Sequence, residues 1–422
     1  MVAPGKVLTG AHVVADATFV QIQKISEPDK FVARLEAICH DSDLALLTIE
    51  DPRFMAGVEV ATIGELPAIR TRIAVAGFPI GGDEVSISEG VVSRVEVQRY
   101  AHSQRRMLAV TVDAAINDGN SGGPAFDGDR VVGIAFQSLE DAENLGELVP
   151  APLIRRFLTA VENGLPHQVP SLGVGIQILD NPRLRAWLGM AEGESGILIE
   201  TVQHGGSADG HIEPGDVLLA IEGHQLANNG TVRYEGRFRT QFDVLVTEPH
   251  VGDVLPVRVL RNGARLDLAI PLKKHVRLVP ESRYDTRPRW FVYGGLVFQR
   301  LSLDYLKTWR KWWLNAPREL VHLYFSGDRT AERREIVILS QVLAHEINVS
   351  YELFRDECIV EVNGVRPGDF AELIALFDSA QDTVVVRTSQ KGTFVFDAAE
   401  ARRVNPEILA RYGVPTDRSP GS

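Results

Sequence analysis

Residues 118–126, DGNSGGPAF, seat a serine among glycines with a proline close behind, and together with the segment just downstream they restrict the fold more than any other stretch. Pro124 and the turn residues DGD lead into the alternating, β-branched run RVVGIAF (130–136), a pattern that predicts strand, turn, strand. The same letters satisfy G-x-S-x-G, but that nucleophile elbow needs a helix after its serine, and a hairpin removes the structural context. Gly, Asn, Ser and Pro are also ordinary turn formers, so the stretch alone leaves Ser121 either a nucleophile or part of a polar turn.

A serine hydroxyl becomes a nucleophile when a base takes its proton and a third group orients that base. Upstream, His12 sits in VLTGAHVV, an apolar, strand-like run broken at Gly10, and Asp43 stands at the mouth of the strand pattern DLALLTI. Read singly, His12 is more often a structural residue than a base, and Asp43 a turn acceptor; Asp41 is the second choice for the orienting acid. Together, the order His12, Asp43, Ser121 is that of chymotrypsin-type proteases and of neither alternative triad order.

With VLTGAHVV, SDLALLTI, VAGFPIGGDEVSISEGVVSR, DAAINDGNSGGPAF and VGIAFQSLEDAENLG, the chain resembles the HtrA/Deg (protease Do-like) family of serine endopeptidases, most closely its plant branch, over nearly its whole length. The resemblance implies a mainly β fold: a chymotrypsin-like double β-barrel protease domain over 1–166, then two PDZ-like α+β domains at 167–278 and 279–418. Only eleven residues precede His12, where the family has a further strand, so a truncated N-terminal barrel with an exposed edge is expected.

The implied chemistry assigns His12 as general base and acid, Asp43 as its orienting carboxylate and Ser121 as nucleophile. The backbone N–H groups of Gly119 and Ser121 form the implied oxyanion hole. By resemblance the substrate pocket is lined by Ile116, Ile134, Ala135 and Phe136, which favours small aliphatic side chains before the cut. Asp118 departs from the proline or small neutral residue usual beside the oxyanion loop, and is read as a harmless, solvent-facing carboxylate. Residues 78–86, 96–107, 116–120 and 138–146 correspond to loops that switch in the family. The implied activity is ATP-independent hydrolysis of unfolded or damaged proteins, in keeping with protein quality control, by a homotrimer or hexamer. The alternative is a peptide-binding scaffold or holdase whose triad cannot assemble because the first barrel is short.

In LIRRFLTAVENG, Ile154, Phe157, Leu158 and Val161 fall at helical spacing with Gly164 as C-cap, closing the first domain before the linker LPHQVP. SLGVGIQ, GILIETV, EPGDVLLAIEGHQL and LPVRVLRNGARLDLAIPL then resemble a PDZ domain, a module that adds a peptide strand to a sheet edge and holds its terminal carboxylate. The matching loop is Leu172, Gly173 and Val174, with a plain strand start as the other reading. YGGLVFQRLS and ECIVEVNGVRP echo that domain more weakly, and Phe370, Leu373, Ile374 and Phe377 predict a helix covering a sheet. This second domain is expected to serve assembly rather than peptide capture.

The net charge of −12 argues against a nucleic-acid or anionic-membrane binder, and Cys39 and Cys358 form no disulfide framework. No run reaches transmembrane length and no signal-peptide pattern comes after Met1, so a soluble chain is expected. No P-loop is present, and HEINV at His345 has Val349 where a second zinc ligand belongs; neither metal nor cofactor is expected. The aromatic and basic LKTWRKWWLNAPREL is read as a packing or subunit contact.

Overall fold

The computed structural model describes residues 1–25, 27–78, 85–114, 116, 119–138 and 145–420. Of the loops expected to switch, 78–86, 116–120 and 138–146, the parts 79–84, 117–118 and 139–144, Asp118 among them, lie outside the described residues. The chain divides into two units, Met1–His275 and Val276–Ser422.

The first unit begins with β1 (Lys6–Thr9), a short helix α1 (Ala11–Val14), β2 (Val20–Gln23), β3 (Lys30–Cys39) and β4 (Leu44–Thr48). These strands form an antiparallel sheet in the order β1-β4-β3-β2, open at β1 and β2 among the described residues. The run VLTGAHVV is therefore strand only to Thr9; beyond Gly10 it turns helical.

A second sheet comprises β5 (Thr62–Ile63), β6 (Arg72–Gly77), β7 (Ser86–Arg99), β8 (Arg106–Val112), β9 (Pro124–Asp127), β10 (Arg130–Ser138) and β11 (Gly146–Pro150). Its order is β11-β8-β7-β6-β9-β10-β5, and β10 also pairs with β11. That extra pairing closes the sheet into a barrel, which leaves no free edge along its six longer strands. The hairpin expected after Ser121 is β9 and β10.

DLALLTI suggests an alternating strand, yet Leu44, Ala45, Leu46 and Leu47 are all buried. The reason is that both faces of β4 meet protein. Successive side chains point oppositely, so Ala45 and Leu47 pack with Phe31, Ala33, Ile49 and Phe54 inside the first sheet. Leu44 and Leu46 pack instead with Met107, Ile134, Phe136 and Val149 of the second. Each buried leucine contributes roughly 1.5–3 kcal/mol, and this seam sets the two sheets against one another. Helix α2 (Ala151–Glu162) seals it with Ile154 and Phe157, both fully buried, and Gly164 adopts the left-handed conformation just beyond (φ 63°), as the spacing predicted.

The PDZ-like region of this unit orders its strands Val174–Ile178, Ile197–Val202, Val217–Ile221, Val254–Arg261 and Ala264–Pro271 in sequence across the sheet. Its core is continuous with that of the barrel: Ile197, Leu218 and Val244 share a cluster with Ile73, Val95 and Val110. A buried hydrogen bond from Val97 N to Thr240 Oγ1 (2.6 Å) crosses the same junction.

In the second unit, strands Trp290–Tyr293, Leu296–Arg300, Val337–Val342, Glu357–Val362, Thr383–Thr388 and Thr393–Asp397 succeed one another across one sheet. The helix Phe370–Ser379 buries Phe370, Leu373, Ile374 and Phe377 against it, the stripe its sequence predicts. By the echo of YGGLVF with SLGVGI, Leu296–Arg300 matches Val174–Ile178. Among the described strands Val174–Ile178 has one partner, whereas Leu296–Arg300 is paired on both sides. Trp312 is packed on Tyr324 and Phe325, while Trp313 beside it is exposed.

Candidate active site

β1 and β4 are paired, with Thr9 opposite Ala45, so the turn leaving β1 and the turn entering β4 lie side by side. Ala11 N donates to the Asp43 carbonyl (3.1 Å) and His12 N to Asp43 Oδ1 (2.8 Å). The second carboxylate oxygen, Oδ2, lies 2.7 Å from His12 Nδ1. A carboxylate only accepts, so Nδ1 carries the proton and Nε2 is left as the basic nitrogen. Asp43 is fully buried, whereas the His12 side chain is 27% exposed.

Asp41, the second choice for this acid, faces elsewhere: it accepts from Val169 N (2.8 Å) and pairs with Arg105 (3.2 Å). Arg105 also donates to the Val169 and Pro170 carbonyls, so this carboxylate anchors the chain after α2.

Ser121 lies on the turn into β9. Gly122 N donates to the Ala135 carbonyl (2.7 Å) and Ala135 N to the Gly123 carbonyl (2.9 Å), which pins the turn to β10. A Cβ on Gly122 would stand 2.4 Å from Thr9 Oγ1 and 3.1 Å from the Gly10 nitrogen. The serine turn is thus pressed against the turn that carries His12, as close as a missing side chain permits. His12 Nε2 makes no hydrogen bond among the described residues.

Gly119 adopts φ 106°, open to glycine and strained for other residues, and its carbonyl accepts from Phe78 N (3.0 Å). Neither Gly119 N nor Ser121 N donates within the described residues. Of the four residues expected to line one pocket, Ile116 and Ala135 belong to the barrel cluster, and Ile134 and Phe136 to the seam, where Phe136 stacks on Tyr100 at 4.3 Å. Strand alternation divides them.

One histidine beside His12, and a second paired with it, carry no sequence expectation. His102, on the β7–β8 hairpin, has its ring 6.2 Å from that of His12, and its Nε2 lies 3.0 Å from His40 Nδ1. Sequence offers no signal for the pair beyond His40 preceding the DSD turn. Gln137 ties the same hairpin to β10, with Ala101 N donating to its Oε1 (2.6 Å).

In the PDZ-like region Leu172 is buried, and Gly173 (φ 73°) donates to Ser171 Oγ at 3.1 Å. The Gly173 carbonyl accepts from Gln203 N (2.8 Å), and Val174 opens the strand with the unpaired edge.

A family model described as trypsin-like peptidase domain matches residues 1–134, and one described as PDZ domain matches residues 279–421. Putative protease Do-like 3, mitochondrial, of Arabidopsis thaliana is 33% identical over 97% of this chain and 72% of its own length. The chain belongs to the protease Do-like (HtrA/Deg) family of serine proteases. Protease Do-like 2, chloroplastic, of the same plant is 34% identical over 99% of the chain and 69% of its own length. Among solved structures, that of the HtrA-type protease AlgW with decapeptide aligns with TM-score 0.51 at 26% identity, over 65% of this chain and 81% of the other. The protease is thus a serine endopeptidase with a trypsin-like domain and a PDZ domain. No helix among its described residues is long and apolar enough to cross a membrane.

Proposed function

We propose that His12, Asp43 and Ser121 are the triad of this protease, and that it cleaves unfolded or damaged protein chains without ATP. The observation that carries the assignment is the buried Asp43 carboxylate held to His12 Nδ1, with the Ser121 turn packed on the same segment. His12 Nε2 takes the Ser121 proton as the hydroxyl attacks the scissile carbonyl, and returns it to the leaving amine. Asp43 keeps the imidazole in the required tautomer and stabilises the imidazolium. Gly119 N and Ser121 N receive the oxyanion, each donor contributing roughly 3–4 kcal/mol to the transition state.

The apolar Ile116 and Ala135 support a pocket for small aliphatic side chains, with β10 contributing its backbone at Ile134 and Phe136. The proposed division is protease over 1–166, peptide-binding PDZ at 167–278, and a second PDZ at 279–418. AlgW is described with a decapeptide; here the free edge of Val174–Ile178 and the loop Leu172–Gly173–Val174 are proposed to receive a peptide terminus. Pairing on both sides of Leu296–Arg300 supports a structural role for the second module. Assembly as a trimer or hexamer is part of the same proposal.

A fluorophosphonate probe, which reacts with activated serines, tests the assignment. Mass spectrometry is expected to place the adduct on Ser121 and to find none in His12→Ala. An adduct on another serine, or undiminished labelling of that variant, would refute it.

A further inference from the structure

In a chain of net charge −12, four arginines of the second unit, Arg283, Arg287, Arg289 and Arg300, line one cavity of about 300 Å³. The lining holds a single carboxylate, Asp304, which accepts from the Arg283 backbone (2.8 Å). Hydroxyls of Thr286, Ser302 and Thr308 share the same wall.

Structural arginines in this unit are neutralised at close range. Arg334 is held by Asp369 and Glu372, and Arg418 by Asp378 and Asp417. The cavity differs. Arg283 and Arg287 are exposed, and their side chains have no hydrogen bond or ion pair among the described residues. Arg300 pairs with Glu335 through one nitrogen (3.1 Å), while its Nε is buried without an acceptor. Arg289 lies over the Phe370 ring at 5.6 Å. Burial pushes the Arg300 guanidinium below the usual arginine range; Glu335 opposes this, and Arg283, Arg329 and Arg289 add to it. Arg283 and Arg287 are thus without a neutralising carboxylate among the described residues.

We propose that this cavity binds a small tetrahedral oxyanion of the phosphate class, free phosphate or a phosphate monoester. Guanidinium forks match phosphate oxygens two at a time; Ser302, whose oxygen accepts from Tyr305 N (3.3 Å), keeps its hydroxyl proton to donate, whereas Thr286 and Thr308 already donate to the Arg283 and Tyr305 carbonyls. The volume admits a phosphate with a short organic group. A peptide arriving by strand addition is a poorer occupant, because the outer edge of Leu296–Arg300 is already taken by Trp290–Tyr293.

Calorimetric titration of the full chain with inorganic phosphate, and separately with glycerol 3-phosphate, tests this at ionic strength held constant with chloride. One site per chain is expected, with affinity at least tenfold weaker in the Arg283→Ala/Arg287→Ala variant, whose replaced side chains hold no hydrogen bond or ion pair among the described residues. Binding of both probes shows that the phosphate group suffices; binding of the monoester alone shows that its organic part is also read; either supports the site. If neither probe binds the native chain, or the double variant binds equally well, the site does not exist.

Discussion

Asp43 adopts a left-handed backbone conformation (φ 56°), one that Asp and Asn tolerate better than other non-glycine residues. Asp43→Asn therefore keeps the turn and changes only what the carboxylate does. Its amide cannot fix the imidazole with Nε2 free, so kcat is expected to fall by about 10⁴ with little change in Tm. Asp41→Asn, which weakens the Arg105 anchor, should do the reverse, costing about 1–2 kcal/mol of stability with kcat nearly unchanged. Parallel kinetics and melting curves decide which carboxylate serves the chemistry. The two aspartates are separated in sequence by a single serine, and chain order alone does not rank them; the direction of each side chain, Asp43 towards His12 and Asp41 towards Val169, supports Asp43.

At the scale of the element, the serine turn is held by close backbone approach. A Cβ on Gly77 would stand 2.5 Å from Asn120 Cα, so Gly77→Ala must displace the turn that carries Ser121. A loss of about 1–3 kcal/mol is expected, together with a fall in kcat of about 10²-fold. Gly128→Ala meets open space at φ 61° and should cost only about 1 kcal/mol, without loss of activity. β11 also buries Glu147, whose carboxylate accepts from the Gln137 amide. Burial raises this carboxyl above its ordinary value near 4.5. A raised carboxyl adds stability that is complete below about pH 4.5 and is lost as pH climbs through the folded value. Glu147→Gln should therefore match the native protein below that pH and melt progressively higher than it towards neutrality, as thermal scans across pH would show. The hairpin β9–β10 was legible because turn residues and β-branching both point to it. The pocket was not. The register shift in β10 between Val131 and Gly133 flips the alternation, so that Val131 and Ile134 share one cluster and Val132 and Ala135 the other, and local patterning does not record it.

For the whole molecule, the sequence marks a boundary near 166 through the linker LPHQVP, and one hydrophobic cluster runs across it. The barrel and the first PDZ-like sheet share one hydrophobic cluster, so a fragment ending at 166 would expose it and is expected not to fold cooperatively. Residues 1–275 should melt in one transition, and the full chain in two, by calorimetry. Such continuity arises from contacts between residues far apart in the chain, beyond the reach of composition or spacing. The proposed triad draws on the opposite kind of signal: its chemistry admits few residue types, and one chain order fits them. Its most direct test is cleavage of an unfolded model protein by the chain and by Ser121→Ala. The account predicts cleavage by the native chain and a loss on the order of 10⁶ in kcat for the variant. Cleavage that survives Ser121→Ala undiminished would contradict it.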